Sequence, residues 1–233
     1  MKARESSAHP AIITVDGPGG TGKGTVSRIV AQKLDFHFLD SGALYRLLGL
    51  AGRRAGIELS DGAALSALAL RLDIVFLTAE NSDEGRVLLD GDDVTDAMRT
   101  EAAGSDASVI AVMPPVRAAL LERQRGFAQM PGLVADGRDM GTVVFPQATL
   151  KIFLTASAAE RARRRYNQLI AKGLTVDLAA LTAELNARDE RDRLRATAPL
   201  MPAADAIIID TTTLAIDHVV AQVLAHWQQV KPA

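Results

Sequence analysis

Apolar positions along the chain come either as short unbroken runs or as spaced stripes. Residues 11 to 15 (AIITV) form a short apolar run that closes on Asp16, the pattern of a strand buried on both faces. From Thr25 to Leu34 the apolar residues Val26, Ile29, Val30 and Leu34 recur at helical spacing. A second short run, Phe36 to Leu39, ends in Asp40-Ser41, and an amphipathic stretch continues from about Ser41 to Arg54. Strand, helix, strand, helix predicts a parallel sheet with crossover helices.

The rhythm then breaks. A short helical stretch at about Asp61 to Arg71 precedes two strand-like runs, Asp73 to Leu77 and Arg86 to Asp90, with a turn at Asp90-Gly91. Short strands and a tight turn predict a small antiparallel insertion over about 60 to 100. Two helices follow, the second after Met113 with Pro114-Pro115 in its first turn, where proline is favoured. The α/β rhythm returns with strands at Gly132 to Ala135 and Lys151 to Leu154, an Arg-rich helical pair over about 157 to 195, and a last strand at Ile207 to Ile209. The final helix carries Ile216, Val219, Val220, Val223, Leu224 and Trp227 on one face, a docking surface. The expectation is an α/β fold: a five-stranded parallel sheet with helices on both faces.

Composition narrows the classes. The chain has 233 residues, 48% of them hydrophobic, enough to bury a full core. A net charge of −2 supplies no basic field for a nucleic-acid polymer. Without cysteine there is neither a disulfide framework nor a thiolate metal site. No apolar run approaches the ~18 residues of a membrane helix, and the start, MKARESSAHP, lacks a signal peptide's apolar stretch. A cytoplasmic, soluble protein with a loose tail at 1–10 is expected. Most of the 26 basic residues are Arg, whose planar fork suits phosphate, so their positions matter.

Four constellations carry chemistry. The first is GPGGTGKGT: Gly17, Pro18, Gly19, Gly20, Thr21, Gly22, Lys23, Gly24, Thr25. It fits a phosphate-binding loop between a strand and a helix, whose N–H groups and dipole attract an anion while Lys23 reaches the outer phosphates. Gly24, however, stands where such loops place the Ser or Thr that holds Mg²⁺, and Thr25 follows one place late. The second is LDSGALYR, with Ser41 and Arg46 beside the carboxyl end of a parallel strand, where open α/β sheets bind ligands. Ser41 taken singly equally suits a helix N-cap. The third is ADGRDMG, in which Asp136 and Asp139 flank Arg138 directly after a strand. The fourth is a helical run in which Arg188, Arg191, Asp192 and Arg195 share a face, and Asp189 with Arg193 suggests a separate surface pair. By spacing alone that run equally suits a salt-bridged, solvated helix.

LDSGALYR, VRAALLERQR, DGRDMGTVVFP and RDERDRLRATAPL, in this order, resemble the bacterial cytidylate kinases, nucleoside monophosphate kinases whose loop ends in Gly-Lys-Gly-Thr. The resemblance covers about residues 11 to 225. It implies phosphoryl transfer from ATP to CMP or dCMP. It also implies a core (11–60, 101–156 and 196–227), a monophosphate-binding insertion (61–100) and a moving helical lid (157–195). A monomer acting on small-molecule substrates, with no nucleic-acid polymer and no membrane as partner, is expected. Carried over by motif, Ser41, Arg46 and Arg138 would hold the acceptor phosphate. Ser108, Arg117, Asp139 and Arg195 would read cytosine, and Arg188 and Asp192 would reach the ribose and nearby phosphates. Lys23, Arg138, Arg188 and lid arginines (Arg161, Arg164 and above all Arg165) would neutralise the transferred group. Mg²⁺ would be held mainly by phosphates and water.

Base chemistry agrees with this assignment. Cytosine offers an amino donor at N4 and acceptors at N3 and O2, so its reader needs a carboxylate or hydroxyl beside arginines. The acceptor oxygen is already anionic, so no general base is required, and His9, His37, His218 and His226 lie outside every constellation. A kinase for UMP or shikimate is the nearest rival. A guanine-nucleotide switch would require an Asn-Lys-x-Asp motif, which the sequence lacks.

Overall fold

The computed structural model describes residues 9–77, 86–171 and 173–231. Of the expected N-terminal tail, only His9 and Pro10 lie within the described residues. Strand β1 (Ala11–Asp16) is followed by the glycine loop and helix α1 (Lys23–Leu34), which begins two residues before the apolar stripe. Strand β2 (His37–Asp40) leads directly into α2 (Ser41–Arg54). Asp40 caps α2, its carboxylate accepting from the Ala43 N–H at 3.0 Å. Ser41 is therefore the first helical residue and not the cap, which leaves its hydroxyl uncommitted to that role.

The insertion contains α3 (Gly62–Ala69), β3 (Ile74–Leu77), β4 (Arg86–Leu89) and a two-residue β5 (Asp92–Asp93). These strands form an antiparallel sheet in the order β3-β4-β5. Asp90 and Gly91 both take positive φ, 52° and 85°, as a two-residue hairpin turn requires. A short 3-10 turn at Ala97–Arg99 precedes α4 (Glu101–Ile110), and α5 (Pro114–Arg125) starts on the proline pair. Then come β6 (Gly132–Gly137), a π-helical turn (Met140–Val144), β7 (Leu150–Thr155), α6 (Ala158–Ala171), α7 (Leu178–Leu194), β8 (Ile207–Asp210) and α8 (Ile216–Val230). Nothing in the apolar spacing announces the π-helical turn.

The main sheet has five strands in the order β2-β6-β1-β7-β8, and every pair is parallel. β1 sits at the centre, buried by its neighbours and by a cluster that joins Val26 and Val30 of α1 to Val219, Val223 and Trp227 of α8. A second cluster runs from Ala43, Leu47 and Leu48 of α2 through Leu65, Val87 and Leu89 to Ile110 and Leu120. The insertion thus shares its core with α2, α4 and α5. The α6–α7 pair holds a small cluster of its own: Ala162, Leu169, Leu181 and Leu185. This topology brings the segments after β1, β2 and β6 together at the carboxyl end of the sheet, where ligands of open α/β folds bind.

Candidate active site

The loop after β1 is shaped by backbone. Gly17 has φ 147°, and a Cβ there would collide with the Leu154 carbonyl on β7. Gly22, at the N-cap of α1, has φ 86° and no side-chain cap, so no capping side chain occupies the first N–H groups of α1. Lys23 Nζ donates to the Pro18 carbonyl at 3.3 Å and lies 3.9 Å from Asp136 Oδ1. Burial pushes the Lys23 ammonium down and the Asp136 carboxyl up, each toward its neutral form.

The Gly-for-hydroxyl departure has a structural counterpart. A Cβ at Gly24 would lie 3.2 Å from Asp136 Oδ2, so a carboxylate from β6 stands against the position of the missing side chain. Asp136 Oδ1 is buried without a hydrogen-bond partner. A carboxylate oxygen without a hydrogen-bond partner, beside a phosphate loop and only 3.9 Å from Lys23 Nζ, fits a hard divalent cation, directly or through water. Among the described residues no three His, Cys, Asp or Glu converge as a cage, so phosphate and water would complete the coordination. Sequence reading placed Asp136 in a loop of interest without giving it this position.

Next to the loop stand Ser41, Arg46, Arg138 and Arg188. Gly137 brings β6 against Ser41: a Cβ there would be 2.7 Å from Ser41 Oγ. Arg46 Nη1 lies 3.8 Å from Asp40 Oδ2. Arg138 donates from Nε to Asp192 Oδ2 at 2.9 Å and from Nη1 to the Gly137 carbonyl at 3.2 Å. Arg188 is drawn down to about 10, first by burial and then by the cations Arg138 and Arg46. Its Nε has no partner. Clustered arginines with unused donors constitute an anion site.

A second cluster of polar side chains gathers around Asp139. Its Oδ2 accepts from Arg117 Nη2, and its Oδ1 lies 3.5 Å from Arg195 Nη2. Arg117 also donates to the Ala111 carbonyl at 3.3 Å. Buried Ser108 accepts from Arg191 Nε at 3.3 Å. Asp139, Arg117, Ser108 and Arg195 are all buried, although they come from four separate segments. Arg195 reaches in from beyond the end of α7, with φ −61° and ψ 135°, and not from a fourth helical position on one face.

The charged run on α7 is not a solvated surface: Asp192 and Arg195 are buried, and Arg138 with Arg188 holds the Asp192 carboxyl low against the effect of burial. The expected Asp189–Arg193 pair is not formed. Asp189 Oδ2 instead meets Arg161 Nη1 at 2.5 Å, while Arg193 pairs with Glu190. Arg161 also donates to the Gly19 carbonyl at 3.0 Å, and Arg164 to the Thr21 carbonyl at 3.3 Å and the Thr211 carbonyl at 2.5 Å. Both therefore brace the glycine loop. Arg165, expected on the transferred group, donates from Nε to Glu101 Oε1 at 2.6 Å, on α4. Its partner lies on the acceptor side, a contact that helical spacing could not suggest.

A glycine loop that launches a helix from the central strand of a parallel sheet, with lysine at its end and arginines around it, defines a nucleotide-binding kinase of the P-loop class. The chain belongs to the cytidylate kinase family, whose sequence profile matches residues 13–229. It is 56% identical over 218 residues to a cytidylate kinase of Pseudomonas paraeruginosa, covering 94% of this chain and 95% of that one. To a cytidylate kinase of Azotobacter vinelandii it is 53% identical over 219 residues, covering 94% and 96%. A solved gluconokinase from Sinorhizobium meliloti overlaps 95% of this chain and 93% of its own at 16% identity and a TM-score of 0.48, too loose a match to carry an argument. Among the described residues no helix is long and apolar enough to cross a membrane.

Proposed function

We propose that the protein transfers the γ-phosphoryl group of ATP to CMP, and to dCMP, giving ADP and the diphosphate. The observation that supports the acceptor best is buried Asp139 set between Arg117 and Arg195. A carboxylate accepts from cytosine N4, and arginines donate to N3 and O2. Uracil, with O4 and N3–H, would face this set with two groups inverted and buried polar atoms unpaired.

In this reading residues 17–25 wrap the donor phosphates, and Lys23 neutralises the outer ones. Ser41, Arg46 and Arg138 hold the acceptor phosphate, with Arg188 and Asp192 at the ribose and the adjoining oxygens. Asp136 would hold Mg²⁺ through water, with phosphate oxygens supplying its other ligands. That ion contributes positive charge at the β- and γ-phosphates. The attacking oxygen is already anionic, so the side chains position and neutralise without abstracting a proton. Arg165 serves the reacting phosphates only when it leaves Glu101, which makes it the lid arginine most dependent on closure.

Coupled ADP release over CMP, dCMP, UMP, AMP and GMP tests the reading. Turnover should be confined largely to the two cytidine nucleotides. Equal or better kcat/KM with UMP would refute the cytosine assignment.

A further inference from the structure

The turn after Asp139 lacks a cap of its own. Asp139 occupies the N-cap position of Met140–Val144, with φ −148° and ψ 24°, yet its carboxylate makes no capping bond. Asp is among the residues most given to capping, so this abstention needs a cause. Part of it is the pull of Arg117 and Arg195. The other part lies on the opposite side of the turn. Asp16, the last residue of β1, accepts from the Met140 N–H through Oδ1 and from the Gly141 N–H through Oδ2, each at 2.8 Å. Those are the first two N–H groups of the turn, which a helix of this kind otherwise leaves unsatisfied. Asp16 is buried and pairs with Gly137 in the β1–β6 register, only two residues before Asp139. The turn has little freedom to shift, since a Cβ at Gly141 would lie 2.8 Å from Thr14 Oγ1.

We propose that Asp16 is a specificity-positioning residue: by capping the Met140–Val144 turn in place of Asp139, it leaves the Asp139 carboxylate free to face Arg117, Arg195 and the base. The inference rests on Asp139 being a reader of cytosine. Asp16 itself touches no substrate in this scheme. It immediately precedes Gly17, so one rigid strand both launches the donor loop and pins the acceptor-side turn. Without its carboxylate, two buried N–H groups lose their acceptor. The carboxylate positioned to replace it is that of Asp139, which can cap its own turn by rotating away from the arginines.

The test is kcat/KM for CMP and UMP in the wild type, Asp16→Asn, Asp139→Asn and the double variant. Asp16→Asn should lower the CMP-to-UMP ratio about tenfold, the scale of losing one buried hydrogen bond, chiefly through KM for CMP and with KM for ATP little moved. In the Asp139→Asn background the same change should leave the ratio where it is. If Asp16→Asn depresses CMP and UMP in parallel while Asp139→Asn alters the ratio, the positioning proposal is wrong and the pocket reading stands. An unaltered ratio in Asp139→Asn would overturn both. Should Asp16→Asn not fold, amide hydrogen exchange decides: Met140 and Gly141 should be protected in the wild type and equally so in Asp139→Ala. Rapid exchange at both sites, or protection lost with Asp139, would overturn the capping role.

Discussion

The loop after β1 and the pocket after β6 lie side by side and are built on opposite plans. The first is backbone: glycines, helix-start N–H groups without a side-chain cap and one lysine, contiguous over residues 17–25. The second is side chain: Ser41, Arg46, Ser108, Arg117, Arg138, Asp139, Arg188, Asp192 and Arg195, drawn from distant segments and largely held in ion pairs. A backbone cradle recognises phosphate, which every nucleotide carries, and can be written as one motif. Discrimination among bases needs donors and acceptors placed to fractions of an ångström, which only the tertiary fold supplies.

The largest expected effect breaks the donor half. Lys23→Met should cut kcat about 100-fold or more with the fold intact, because the proposed function spends its charge on the donor phosphates in a partly dry site. Retention of more than about a tenth of the wild-type rate would exclude this loop as the donor site. A smaller effect sharpens the acceptor half. A Cβ at Gly104 on α4 would lie 3.1 Å from Arg188 Nη1, so Gly104→Ala must move that guanidinium. KM for CMP and for UMP should rise together, roughly three- to tenfold, because the proposed function sets Arg188 at ribose and phosphate and not at the base. A change confined to CMP would contradict that division of labour.

The smallest effect is a pH dependence at Asp16. Burial raises its carboxyl to about 7, the Gly141 and Met140 N–H groups oppose the rise, and the like charges of Asp139 and Asp136 add to it. A carboxyl raised above its unfolded value of roughly 3.9 contributes stability that is full below that value and lost as pH climbs through about 7. The Tm of the wild type relative to Asp16→Asn should therefore fall by a few degrees, on the order of 2–6 °C, between pH 5 and pH 8. A gap independent of pH would show that Asp16 does not titrate in that window.

What the sequence disclosed follows the same division. The donor loop was legible because strand, loop and helix are adjacent in the chain, and the five strands because buried parallel strands read as unbroken apolar runs. Ser41 was a plausible cap because Asp40 and Ser41 are both capping residues, and only the backbone geometry distinguishes them. Asp189 was paired with Arg193 by helical spacing, but Arg161 on α6 supplies a tertiary partner at 2.5 Å. Asp16 reads as an ordinary strand ending, and Asp136 as one of two carboxylates flanking Arg138. Their contacts exist only because the sheet sets β6 beside β1, bringing Asp16 under the Met140 turn and Asp136 against Gly24.

The measurement that tests the central claim most directly is kcat/KM of Asp139→Ala for CMP and for UMP, with thermal unfolding alongside. If the carboxylate accepts from cytosine N4, CMP should lose roughly 5- to 150-fold, the value of about 1–3 kcal/mol for one such contact. UMP, whose O4 the carboxylate repels, should lose little or gain slightly. A parallel fall for both nucleotides, accompanied by a lower Tm, would make Asp139 a brace of its loop and remove the basis for reading cytosine there.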